Sequence, residues 1–241
     1  MTDTAAPTVV LVHGAFADSS GWNDVIRQLR AAGVKVQAVS NPLRGIAIDT
    51  AYVASALRQI PGPVLAVGHS YGGAIITNAA AKVDNVVGLV YVAAFAPDEG
   101  EALQDIEGDS KDSVLMTALT QLEYPTGPGS ETAMEFAIDP GKFHDAFAAD
   151  VPEDEAAVMA ATQRPVSAFG FSEPNGTPAW RSLPSWAVVA TGDKAAGSDV
   201  VRRMAERAGA TITEVAASHV VMVSHPQAVT DVIRQALDSM S

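Results

Sequence analysis

The apolar run Val64-Leu65-Ala66-Val67 leads straight into Gly68-His69-Ser70-Tyr71-Gly72-Gly73, and small residues suited to a helix follow. A serine at G-x-S-x-G spacing between a strand and a helix is the signature of a sharp, strained turn that pushes its hydroxyl outward. The glycines two residues away let the backbone bend where a side chain would collide. Such a serine also sits at a helix N-terminus, where free amides and the helix dipole favour developing negative charge.

The rest of the chain suits this turn. Apolar stretches at 8–13, 34–39, 64–67 and 86–94 read as strands, and 21–32, 50–60 and 71–81 read as helices. Trp22, Val25, Ile26 and Leu29 fall on one helical face that ends at Gly33. After a break the pattern resumes with strands at 185–191 and 211–216 and helices at 199–208 and 226–240. Continuous apolar strands alternating with helices predict an α/β fold: a mostly parallel six-stranded sheet flanked by helices.

The break is as informative as the pattern. Residues 97–178 are rich in Pro and Gly and hold 17 Asp or Glu against 3 Lys or Arg, while the remainder holds 11 against 12. Essentially the whole net charge of −13 lies there. Short helical patches are expected at 113–122, 131–138 and 153–161, and no strand of sheet quality. The predicted division is a core of 1–96 and 181–241 and a helical cap, 97–180, inserted after the fourth strand. The acidic segment reads as a solubilising surface, with a bias against anionic substrates as the sharper alternative.

Composition removes whole classes. Without cysteine there is no disulfide framework, thiol nucleophile or zinc ribbon. Without basic stripes there is no nucleic-acid partner. No apolar run reaches the ~18 residues of a membrane span. Residues 1–7 are polar and lack the basic and apolar regions of an export signal, so a soluble, cytoplasmic protein is expected. A homodimer stays open.

A serine hydroxyl needs a general base, and five histidines compete. His13 and His69 sit inside glycine motifs, His144 lies in the insertion, and His225 precedes Pro226 at a helix start. His219 follows the last strand, at the sheet edge where Ser70 emerges, and fits the chain order serine, acid, histidine. The acid that orients it is expected at another strand end. Asp193 ends the penultimate strand there, Asp98 is its rival, and Asp199 reads as a helix N-cap. An oxyanion needs N–H donors. Those of Tyr71, after the serine, and Ala15, in the loop after the first strand, are expected, with Phe16 as the alternative to Ala15.

Together His13-Gly14-Ala15-Phe16, Gly68 through Gly73, Val90-Tyr91-Val92-Ala93-Ala94-Phe95 and Ser218-His219 resemble the α/β-hydrolase superfamily, in particular its small esterase and hydroxynitrile-lyase-like branch. The likeness covers nearly the whole chain and is poor over 97–180. It implies a serine esterase without cofactor or metal, acting on a small-molecule ester through Ser70, His219 and Asp193, with the Ala15 and Tyr71 amides as oxyanion hole. Lyases of this branch rely on a lysine beside the histidine, where this chain has Val220, and on a hydroxyl that Ala15 lacks. Cofactor-free perhydrolases and dioxygenases share the triad, and some relatives are receptors with little turnover. Phe16, Leu115, Leu119, Phe147 and Phe169 are expected to touch substrate. Met116, Phe143 and Met159 in the insertion, and Trp186, are weaker candidates.

Overall fold

The computed structural model describes residues 6–240. Residues 1–5, which carry most of the polar lead expected to exclude an export signal, lie outside the described residues.

β1 (Thr8–Val12), β2 (Val36–Val39), β3 (Val64–His69), β4 (Val86–Val92), β8 (Ser185–Ala190) and β9 (Thr211–Val215) form one sheet in the order β2-β1-β3-β4-β8-β9. Every pairing in it is parallel. All residues of β3 and β8 are buried, which requires cover on both faces. The cover comes from α1 (Asn23–Ala31), α2 (Ile46–Arg58), α3 (Tyr71–Ala80), α9 (Ser198–Arg207) and α11 (Pro226–Asp238). α1 packs on α11, and α2 on α3. Local chemistry sets several ends. Pro226 occupies the first turn of α11, and Gly33 and Gly209 take the positive φ that releases the chain after α1 and α9.

Between β4 and β8 the expectation of a purely helical cap fails. α4 (Leu103–Gly108), α5 (Leu115–Ala118), α6 (Pro140–Phe147), α7 (Glu153–Thr162) and α8 (Phe169–Ser172) are joined by an antiparallel sheet. Its strands are β5 (Leu119–Pro125), β6 (Thr132–Ile138) and β7 (Val166–Ser167), in the order β5-β6-β7. The patch expected as helix at 131–138 is β6, and 119–122, the end of the patch expected at 113–122, belongs to β5. Met134, Phe136 and Ile138 alternate along β6 with the period of a strand, after the Gly127-Pro128-Gly129 turn. The 153–161 patch is helical, as α7.

The insertion is tied to the core by polar contacts. Arg44 Nη1 donates to Glu135 of β6 at 2.7 Å, and its guanidinium lies 4.2 Å from the centre of the Tyr124 ring. Asn78 of α3 donates to Asn175 at 2.6 Å and accepts from the Gly176 amide at 2.7 Å. Where the segment leaves and rejoins the core, Trp180 Nε1 donates to the Pro97 carbonyl at 3.0 Å and Arg181 pairs with Asp98. Among the described residues no helix is long and apolar enough to cross a membrane.

Candidate active site

β3 ends at His69 and α3 begins at Tyr71, so Ser70 forms the whole turn, with φ 53° and ψ −124°. A non-glycine residue there is strained by about 1–3 kcal/mol and persists only when its surroundings hold it. They do so closely. A Cβ on Gly68 would sit 2.5 Å from the Gly72 carbonyl oxygen, one on Gly72 2.5 Å from that of Val12, and one on Gly73 2.5 Å from that of Phe95. A Cβ on Gly14 would lie 2.7 Å from that of Ser70, so the loop after β1 is pressed against the serine. The Ser70 carbonyl accepts from the amides of Gly73 at 2.9 Å and Phe95 at 3.2 Å.

Asp193 and His219 follow β8 and β9, which lie beyond β4 in the same sheet. His219 Nδ1 donates to Asp193 Oδ2 at 2.8 Å, with both side chains 1% exposed. The other carboxylate oxygen accepts from the amides of Ala195 at 2.9 Å and Ala196 at 3.0 Å. The pair is therefore oriented from both ends, leaving Nε2 of His219 free of the acid. Asp98 is elsewhere, paired with Arg181. Asp199 is not a cap: α9 begins at Ser198 behind Gly197, and the Asp199 carboxylate accepts from Ser110 and the Lys111 amide.

Ser70 and His219 line one narrow cavity, with Ala15, Phe16, Tyr71, Phe95, Leu115, Phe147, Phe171, Ala195 and Ala196. Its volume is about 10 Å³, the room of roughly one water. Among the described residues the Ala15 and Tyr71 amides donate to no protein acceptor. Of the expected substrate contacts, Phe16, Leu115 and Phe147 line this cavity, while two do not. Leu119 starts β5 away from it, and Phe169 is 48% exposed on the surface. Phe171, two residues on, takes the place expected of Phe169, because α8 is a single turn whose direction periodicity could not show. Trp186 is buried within β8, and Phe143 backs Phe147 with ring centres 5.0 Å apart.

Other groups around the site were not foreseen. His69 is wholly buried, and its Nε2 donates to the backbone carbonyl of His219 at 3.1 Å, tying the residue before the serine to the histidine loop. Burial, then the neighbouring His219, pushes its pKa well below the usual range, so it stays neutral. His13 is neutral too: burial pushes it down to about 4, its Nδ1 donates to the Gly14 carbonyl, and its Nε2 accepts from the Asn41 amide. Behind Asp193, the carboxyl of Glu107 is pushed up to about 7 by burial, with the Asp193 charge adding to the effect and a Ser113 hydrogen bond opposing it. Asp150 of the insertion accepts from Ser218, next to His219, and lies 3.5 Å from His225. The Tyr71 hydroxyl donates to buried Asp49 at 2.8 Å. The acid and the histidine are marked in the sequence by following strands; these supports come from unrelated parts of the chain and carry no such mark.

Residues 9–232 match the sequence pattern of the alpha/beta hydrolase family. The chain belongs to that family. This α/β hydrolase is 32% identical over 107 residues to a carbendazim hydrolyzing esterase of Nocardioides sp. (strain SG-4G), a match spanning 39% of this chain and 44% of that protein. Among solved structures it is similar to polyneuridine aldehyde esterase, with TM-score 0.80, 20% identity and coverage of 96% of this chain and 99% of that one. It is similar to tomato methylketone synthase I, with TM-score 0.79, 18% identity and coverage of 98% and 100%. A pyrethroid hydrolase from Sphingobium faniae JZ-2 follows the same fold, with TM-score 0.75, 21% identity and coverage of 96% and 97%.

Proposed function

We propose that this α/β hydrolase is a carboxylesterase that cleaves small or medium neutral esters through an acyl-enzyme on Ser70. The observation that carries the reading is the oriented His219–Asp193 pair opening into the same cavity as the strained serine. His219 Nε2 takes the Ser70 proton as Oγ attacks the ester carbonyl, and Asp193 stabilises the imidazolium that results. The oxyanion rests on the Ala15 and Tyr71 amides, which donate to no protein acceptor among the described residues. Collapse breaks the bond to the alcohol, whose oxygen receives the proton from His219. Water, deprotonated by the same histidine, then releases the acid and restores Ser70. The esterases and hydrolases among the similar proteins agree with this chemistry.

The test is hydrolysis of p-nitrophenyl esters from acetate to decanoate by the wild type and by Ser70→Ala. Turnover on short chains that falls by a factor on the order of 10⁴–10⁶ in Ser70→Ala is expected. Equal, negligible rates in both proteins would sink the reading.

A further inference from the structure

A second and much larger hollow shares Phe16 with the Ser70 cavity. It measures about 340 Å³ and runs between α7 and the chain just after β1. Phe16 is on the wall of both hollows. Its backbone is held at φ 58°, and its ring stacks on Phe171 and meets Phe147 edge-on, each at 6.3 Å between centres. The histidine loop also faces both: His219 lines the inner hollow, and Val220, the next residue, lines the outer one. Phe16 and the step from His219 to Val220 thus form the partition between them.

The chemistry gives the two sides different tasks. On collapse of the tetrahedral intermediate His219 protonates the leaving oxygen, so the alcohol departs on the histidine side. The outer hollow lies on that side, beyond Val220. The inner hollow, closed by Leu115, Phe171 and Ala196, has little room for an acyl chain. The outer wall is apolar at Met159, Met222 and Val223, and Val158 stands 62% exposed at its edge. Its charges are Asp18, Asp24 and Glu155 against Arg27, and Arg27 is paired with Asp24. No unpaired cation among these residues could hold an anionic group.

Resting on the acyl-transfer reading above, we infer that the outer hollow is the alcohol site: the substrates are esters of a short acid with a bulky, apolar, uncharged alcohol, and Phe16 limits how bulky that alcohol can be. Bond making and breaking are those already given, with the alkoxide oxygen receiving the His219 proton and the alcohol leaving through the larger space.

The experiment compares kcat/KM for ethyl, benzyl and 2-naphthylmethyl acetate, whose leaving groups differ in size more than in acidity, with ethyl acetate, butanoate and octanoate. Wild type, Phe16→Ala, Met159→Trp and the exposed-site variant Val158→Trp are measured. The wild type is expected to favour naphthylmethyl over ethyl acetate and acetate over octanoate. Filling the hollow with Met159→Trp or Val158→Trp should lower the naphthylmethyl-to-ethyl ratio about tenfold, and Phe16→Ala should raise it, within the range that pocket volume commonly commands. A ratio that both tryptophan variants leave within about twofold, or a response confined to the acyl series, overturns this assignment alone. Absence of Ser70-dependent hydrolysis of every ester overturns the acyl-transfer reading as well.

Discussion

β3 and β5 are six and seven residues long, yet every residue of β3 is buried and none of β5 is. β3 is held by apolar contact on both faces and by parallel partners on both edges. β5 pairs only with β6, at the edge of a small sheet tied to the core by Arg44 on Glu135 and Tyr124 and by the Ser167 amide on the Leu43 carbonyl. β3 is fixed by burial on both faces, whereas β5 is an unburied edge on a segment whose Ile138, Phe143, Phe147 and Val166 join the same apolar core.

Glycine replacement breaks that comparison most sharply. In Gly72→Ala the new methyl meets backbone oxygens of β1 and the loop after it, which cannot yield, while at Gly127 an added Cβ meets nothing within 4 Å. Gly72→Ala is expected to cost about 3 kcal/mol or more and lower Tm by about 10 °C, and Gly127→Ala to stay within about 0.5 kcal/mol. Calorimetry on both variants checks this, and equal shifts would erase the distinction. The two acids once in competition give the next contrast. Asp193→Asn should lower kcat by about 10⁴, as expected when an imidazole is held in the wrong tautomer, whereas Asp98→Asn loses only a partly exposed pair worth about 1 kcal/mol or less.

These contrasts also explain what could be read in the chain. Strands covered on both faces must be apolar throughout, so all six strands of the main sheet were visible, with ends misplaced by a few residues. Ser70, Asp193 and His219 were legible because each sits where a strand stops, a place the alternation itself marks. β5 and β6 were not. Leu119-Thr120-Gln121-Leu122-Glu123 places leucines three apart, which mimics a helix, and the pairing that makes it a strand is non-local. Glu135 looked like surface charge and is buried, because Arg44 from far along the chain meets it. Phe171 and Asp150 reach the site through turns of the insertion that no periodicity describes.

Two buried ionisable groups give the regions opposite pH signatures. Burial pushes His13 of the core from 6.5 down to about 4, so its contribution to stability is complete above pH 6.5 and is lost as pH falls through about 4. Burial pushes Glu107 of the insertion from 4.5 up to about 7, so its contribution is complete below pH 4.5 and is lost as pH rises through about 7. Glu107→Gln, which keeps the shape and carries no charge, should flatten the decline on the alkaline side by up to about 3 kcal/mol. Chemical denaturation at pH 5 and pH 8 reads this directly, and an unchanged difference would contradict it. Arg44→Gln takes from the buried Glu135 carboxylate its ion-pair partner. It should destabilise by about 1–3 kcal/mol, and denaturation at low and high salt reads how much of that is screened.

The inserted segment departs from β4 and returns at β8, and these strands are immediate neighbours in the sheet. Its two ends are stitched together by Trp180 on Pro97 and Arg181 on Asp98. A piece of chain hung in this way behaves as a cassette: another of different length or composition can be spliced in without rethreading any strand. Ser70, Asp193 and His219 all project from outside it. The strand order that carries Ser70, Asp193 and His219 is thus independent of what hangs between β4 and β8.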